Sequence, residues 1–289
     1  MLVDDQQTLS NLFSKVNMLI ATHCEDESTI RKNLELAKQK YGNELNALHH
    51  PVIRNAEGCY LSSSMAIDLA RKNGTRLHIL HISTEKEIDL FDNDIPLLHK
   101  KITSEVCVHH LFFDDSFYHA LGNRVKCNPA IKSTKDREAL LEGLKNGYFD
   151  VIATDHAPHT IEEKSKPYSK APSGLPLLQH SLTMMLSFYH SGALSKEFIV
   201  EKMCHAPAEL FRVKDRGYLD EGAYADLVIV DPDKSWEVHS SQLEYKCGWS
   251  PLEGFDFNGK VISTMCNGSF VYENEKLTGA KSGMRLMFN

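Results

Sequence analysis

Short apolar runs alternate with longer amphipathic stretches along most of this chain. Residues 16–21 (V-N-M-L-I-A) form a strand-like run that ends in Thr22-His23. Helical spacing follows over about 27–41 and again over about 56–72. In the second stretch Ala56, Tyr60, Ala66, Leu69 and Ala70 mark the apolar face, and Asn73-Gly74 closes it as a C-terminal stop. Residues 76–82 (R-L-H-I-L-H-I) read as the next strand, with Ser83-Thr84 as a helix N-cap after it. A third strand is expected over 105–113 (E-V-C-V-H-H-L-F-F). Thr134 opens another helix that stops near Asn146-Gly147, and a fourth strand, 150–154, leads into Asp155-His156.

Strands that alternate with helices pair in parallel, because each return to the same sheet edge needs a crossover. Four such units are expected, half of a closed eight-stranded barrel. The pattern changes after Ser191-Gly192. Helices are expected over about 195–203 and 207–211. Residues 225–232 then read as a strand, and 261–265 with 269–272 as a hairpin joined by Asn267-Gly268 in a type I′ turn. The expected division is therefore an α/β segment over 1–215 and a β-rich segment over 216–289.

Composition narrows the function. With 39 acidic and 32 basic residues the formal net charge is -7, and no basic block is present. That disfavours a nucleic-acid partner. No apolar run is long enough to span a membrane, and Met1-Leu2-Val3-Asp4-Asp5 does not read as a signal peptide. Seven scattered Cys without a C-x-x-C pair suggest reduced thiols in a cytoplasmic protein.

Chemistry-bearing residues gather at strand C-terminal ends: His23, His81 and Asp155, the last within Thr154-Asp155-His156-Ala157-Pro158-His159. In a (β/α) barrel this is the catalytic face. Imidazole and carboxylate suit a borderline divalent ion, Zn²⁺ above all. Such an ion brings the pKa of bound water to about 7. A His at one strand end is more often a packing residue; three such residues, each at the end of its own parallel strand, point to a site. His49-His50 and His109-His110 lack that placement and read as loop or surface residues.

The motif T-D-H-A-P-H, with H-C-E-D upstream and L-H-I-L-H-I-S-T between, resembles the dihydroorotases of the amidohydrolase superfamily. So do Cys127-Asn128-Pro129-Ala130-Ile131-Lys132, Ala171-Pro172-Ser173-Gly174, the stretch H-A-P-A-E-L-F from His205, G-A-Y-A-D-L-V-I-V-D, and Gly248-Trp249-Ser250-Pro251-Leu252-Glu253-Gly254. The resemblance implies the C-terminal half of a (β/α)8 TIM barrel, strands five to eight of the family, plus part of a small β-sandwich. It implies His23 and His81 as ligands of one metal, and Asp155 as ligand of the other and general base. It implies substrate contacts from Asn128, His159 and the Ser173-Gly174 backbone. Two zinc ions per complete site are implied, as is the reversible hydrolysis of dihydroorotate to N-carbamoyl-L-aspartate in pyrimidine biosynthesis. The partner is then a small molecule, with a homodimer as the expected assembly and no membrane or nucleic acid.

This chain departs from the family pattern at Ala130 and Lys132, where a second Pro and an Arg are usual. The family's H-x-H metal pair, its nearby substrate-binding arginine and its bridging lysine are not found. A chain lacking the N-terminal part of the enzyme, with an incomplete ligand set and no activity alone, is the expectation. The alternatives are another cyclic amidohydrolase (an allantoinase or hydantoinase), or a non-catalytic homologue that serves as a structural partner, for example of aspartate transcarbamoylase.

Overall fold

The computed structural model describes residues 5–289, apart from the side chain of Gln6. Residues 1–4, which belong to the stretch read above as no signal peptide, lie outside the described residues. Packing divides the chain into two compact units. The first runs to Leu178 and takes in Leu243–Pro251; the second comprises Gln179–Gln242 and Leu252–Asn289. This is a different partition from the segments expected from the hydrophobic pattern.

In the first unit four strands, β1 (Ile20–Thr22), β2 (Leu77–Ile82), β3 (Ile102–Cys107) and β4 (Val151–Ala153), form one sheet in the order β1-β2-β3-β4. All three pairings are parallel. β2 and β3 are buried almost throughout, as strands covered on both faces must be. The crossover helices Glu27–Tyr41, Ala56–Asn73 and Thr134–Lys145 form where the spacing predicted. Each begins with a capping side chain, Asp26, Asn55 or Ser133, that accepts a first-turn N–H otherwise left without an intrahelical partner. A helix not foreseen, Gln6–Lys15, starts at Asp5, whose carboxylate accepts the Thr8 N–H at 2.7 Å.

Two local expectations fail. The run 105–113 is not one strand: β3 ends at Cys107 and Val108–Phe112 is a short helix. A continuous apolar run has no periodicity to separate a buried strand from a buried helix. Thr84 does not cap the 3₁₀ turn Glu85–Leu90 through its side chain; its hydroxyl donates to the Glu87 carboxylate at 2.9 Å.

The second unit holds an antiparallel sheet of β5 (Leu227–Glu237), β6 (Asp256–Cys266), β7 (Ser269–Glu273) and β8 (Lys276–Leu277). Asn267 and Gly268 join β6 to β7 with φ of 49° and 79°, the two positive values a type I′ turn needs. The helix Ser181–His190 packs on β6 at Gly259, where a Cβ would meet Leu186 Cδ1 at 2.7 Å. The helix expected over 195–203 is α-helical only over Lys196–Val200 and widens to a π turn at Glu201–His205. Among the described residues no helix is long and apolar enough to cross a membrane.

Candidate metal and substrate site

The C-terminal ends of β1 and β2 bring two imidazoles together. His23 follows β1 directly, and its Nδ1 lies 3.1 Å from His81 Nε2. Two nitrogens bound to one zinc at about 2.0–2.1 Å with tetrahedral angles stand roughly 3.3 Å apart. The observed separation is a hydrogen-bond distance and is close to the spacing of two ligands on one ion.

His23 is set by an element the strand pattern did not reveal. Its Nε2 lies 3.1 Å from Glu25 Oε2. The N–H on that nitrogen donates to the carboxylate, which leaves the Nδ1 lone pair facing His81. Outer carboxylates of this kind fix the tautomer of metal-binding histidines. Glu25 is itself buried and paired with Arg54. Burial pushes the Glu25 carboxyl up, but the His23 hydrogen bond and the charges of Arg54 and Lys132 outweigh it and hold the pKa at about 2. The other oxygen, Oε1, is buried without a hydrogen-bond partner.

His81 sits in a break of register between β2 and β3, after Ile79 and before Ile82, with φ of 40°. Such irregularities re-aim a side chain at a strand end. A non-glycine residue in this region costs about 1–3 kcal/mol unless its surroundings hold it. Here the Glu105 carboxylate accepts the His81 backbone N–H at 3.2 Å, and its other oxygen lies 3.1 Å from His78 Nε2. Burial keeps the His81 ring neutral, with a pKa of about 3, the form a ligand requires. Its Nδ1 has no hydrogen-bond partner.

Asp155 lies just past β4 and also has a positive φ, 43°. Burial, then the Glu105 charge, raises its carboxyl to about 6, while His23 opposes the shift. A carboxyl poised there can take and return a proton near neutral pH.

Beyond Asp155 the loop carrying His159 meets the Ser173-Gly174 segment. His159 Nε2 donates to the Ser173 carbonyl at 3.2 Å, and Trp249 Nε1 donates to the His159 carbonyl at 2.7 Å. The sequence resemblance assigned the His159 ring to substrate; one nitrogen is engaged by the loop. Gly174, at φ 141°, leaves no room for a Cβ, which would lie 2.4 Å from the Ala157 carbonyl oxygen. Buried Lys164 ties these parts together. Its ammonium donates to the carbonyls of Lys126, Pro172 and Gly174 at 2.9, 3.0 and 2.9 Å. The Lys126 carbonyl also accepts the Gly174 N–H. Two residues on, Asn128 Oδ1 is buried with no partner.

The histidine doublets correct the sequence reading. His50, His109 and His110 are buried, at 2%, 0% and 3% exposure, not surface residues. Nothing in their spacing marked this, because apolar neighbours on short helices leave no periodic signal. Glu25 was legible only as part of H-C-E-D. Arg54 and Lys164 carried no signal.

A family model described as the amidohydrolase family matches residues 5–271. The chain belongs to the amidohydrolase family. A curated dihydroorotase of Clostridioides difficile is 38% identical over 205 residues, 71% of this chain and 48% of that protein. One of Pyrococcus abyssi is 36% identical over 223 residues, covering 77% and 52%. One of Staphylococcus aureus is 33% identical over 264 residues, covering 91% and 61%. Among solved structures, the L-hydantoinase (dihydropyrimidinase) of Arthrobacter aurescens aligns with a TM-score of 0.87 at 28% identity, over 94% of this chain and 61% of that one. The chain spans roughly half to three-fifths of the length of the relatives it matches. Amidohydrolases are generally metal-dependent, and the converging nitrogens of His23 and His81 fit that requirement.

Proposed function

We propose that this chain carries the strand-five-to-eight half of a dihydroorotase, which interconverts dihydroorotate and N-carbamoyl-L-aspartate. In that reading residues 1–215 belong to the barrel and 216–289 to the β-sandwich. The observation that carries it is the 3.1 Å approach of His23 Nδ1 to His81 Nε2, beside a carboxyl at Asp155 raised to about 6. The dihydroorotase relatives add the substrate class.

A cyclic amide opens when water attacks the carbonyl and the ring nitrogen leaves with a proton. Zinc held by His23, His81 and Asp155, two ions in the complete site, would activate that water and polarise the carbonyl. Asp155 Oδ accepts the proton of the attacking water and returns it to the leaving nitrogen. Asn128 Oδ1, which has no partner of its own, accepts an N–H of the substrate ring. The His159 ring and the backbone at Ser173-Gly174 hold the far edge of the ring. Lys164 keeps the Asn128 and Gly174 segments in register. The seven free cysteines suit a reducing cytoplasm, and a homodimer is the assembly proposed.

The test offers dihydroorotate, allantoin and hydantoin to zinc-loaded protein, both the 289-residue chain and the chain continued upstream. Ring opening of dihydroorotate above the other two supports the reading. A preference for hydantoin favours a hydantoinase, the second reading, for which the 0.87 TM-score with an L-hydantoinase speaks. Hydrolysis of none in either form points to a non-catalytic partner protein.

A further inference from the structure

A second cluster of metal-binding side chains lies at the end of β3, outside the residues assigned to the hydrolytic site. Cys107 is the last residue of β3, and His109 and His110 sit in the helix Val108–Phe112. One ligand atom from each of the three lies within 4.8 Å of the others. All three residues are buried, Cys107 and His109 completely.

Their hydrogen bonding is the second observation. Both ring nitrogens of His109 are buried with no hydrogen-bond partner, and so is His110 Nδ1. Buried imidazoles are ordinarily satisfied by protein or by ordered water. The remaining nitrogen, His110 Nε2, lies 3.2 Å from the Pro129 carbonyl. A carbonyl only accepts, so the hydrogen is on Nε2 and the Nδ1 lone pair is free. An outer carbonyl on one nitrogen and an open lone pair on the other is the arrangement found in metal-bound histidine.

We propose that Cys107, His109 and His110 bind one borderline divalent ion of the zinc class at a site separate from the hydrolytic one. Thiolate and imidazole together select such an ion over magnesium or calcium. With bonds of about 2.3 Å to sulfur and about 2.0–2.1 Å to nitrogen, the donors must close to roughly 3.3–3.7 Å from one another. That is a side-chain adjustment from their present spacing. On binding, the Cys107 thiol gives up its proton to solvent and the two rings bind as neutral ligands, so one proton is released per ion. Complete burial means that the ion enters as the chain folds. Its role is to tie the end of β3 to the segment at Pro129, next to Asn128.

Cobalt substitution separates this site from the hydrolytic one, because only here is a thiolate offered. The 289-residue chain is refolded with Co²⁺ and its absorption recorded. A thiolate-to-cobalt charge-transfer band in the near ultraviolet is expected. The band should persist in a His23→Ala/His81→Ala double variant and disappear in Cys107→Ser. Absence of the band, or its survival in Cys107→Ser, overturns the proposal; the latter assigns the ion to another cysteine. Should Cys107→Ser not fold, X-ray absorption on the zinc-loaded His23→Ala/His81→Ala variant, with Cys107 intact, decides. With His23 and His81 removed, a shell with one sulfur at about 2.3 Å and nitrogen neighbours supports the site, and a shell of nitrogen and oxygen alone overturns it. In that case water satisfies the histidines.

Discussion

Glu25 and His23 form a carboxylate–imidazole pair in which Glu25 Oε2, 3.1 Å from His23 Nε2, decides which nitrogen of the ring is left to face His81. The carboxylate is almost fully buried and is anchored on its far side by Arg54. Orientation of the His23 ring thus depends on Glu25, two residues on in the same loop, and through it on Arg54 at the end of the helix His50–Ile53.

Replacing Glu25 by Gln keeps the shape but allows the amide to present either oxygen or nitrogen to the ring. It also leaves Arg54 without its counter-charge. Metal affinity at the His23–His81 pair should fall about 10–100-fold, the usual effect of losing such an outer partner. Titration with zinc in a Cys107→Ser background, followed by calorimetry, isolates this pair. Unchanged affinity would mean that Glu25 serves only to pair with Arg54.

How much of this was visible in the sequence follows from what kind of force sets each part. The parallel strands and their helices were legible because burial imposes a period, and caps such as Asp26 and Ser133 mark the starts. The placement of His23, His81 and Asp155 at strand C-terminal ends was legible because each closes an apolar run. The Glu25–Arg54 pair was not, because a single long-range contact leaves no pattern in either partner's neighbourhood. The same holds for Lys164, whose three acceptors are the backbone carbonyls of Lys126, Pro172 and Gly174, far apart in the sequence. The strand over-read at 105–113 shows the limit from the other side: full burial of His109 and His110 erases the difference between a strand and a helix.

Asp155 should carry the proton in ring opening. Asp155→Asn removes the group that accepts it while retaining the size of the side chain. In the form of the enzyme that turns over dihydroorotate, kcat should fall about 10²–10⁴-fold, with the circular dichroism spectrum preserved. A variant that retains more than about a tenth of the wild-type kcat contradicts the assignment, since general-base roles exceed that size.

His159 should act on substrate and not on metal. Its Nε2 is bonded to the Ser173 carbonyl, and it follows Asp155 by four positions on the loop. His159→Ala therefore raises KM for dihydroorotate while zinc content stays at the wild-type value. Parallel loss of zinc would make it a ligand.

Gly174→Ala tests whether the loop conformation matters independently of side-chain chemistry. The added methyl would lie 2.4 Å from the Ala157 carbonyl oxygen and 2.8 Å from the Ala157 Cβ, at a φ that disfavours any L-residue. Backbone must move on one side or the other, so either the Lys164 contact or the His159–Ser173 bond is lost. Stability should drop by about 1–3 kcal/mol, read from urea midpoints, and KM should rise as in His159→Ala. A variant with wild-type KM would show that the loop reaches substrate only through groups outside this turn.

His50 makes one pH-dependent contribution to stability, apart from the proposed ligands. Its Nε2 donates to the Cys127 carbonyl and its Nδ1 accepts from the Tyr168 hydroxyl, both at 2.8 Å. The neutral ring is therefore fully satisfied. Burial, with help from the Lys126 and Arg54 charges, lowers its pKa to about 3, against the pull of the Cys127 bond. The folded value lies below the unfolded one of about 6.5, so on acidification the unfolded chain takes the proton first. The stabilisation from His50 is complete above about pH 6.5 and falls by roughly 1.4 kcal/mol per unit as the pH drops toward 3. His50→Gln, which cannot titrate, should lose stability at pH 7 yet show a shallower decline between pH 6.5 and 5, by close to one proton. Urea unfolding at a series of pH values measures this directly. Equal slopes in the two proteins would mean that His50 is already protonated in the fold, with Tyr168 turned to accept.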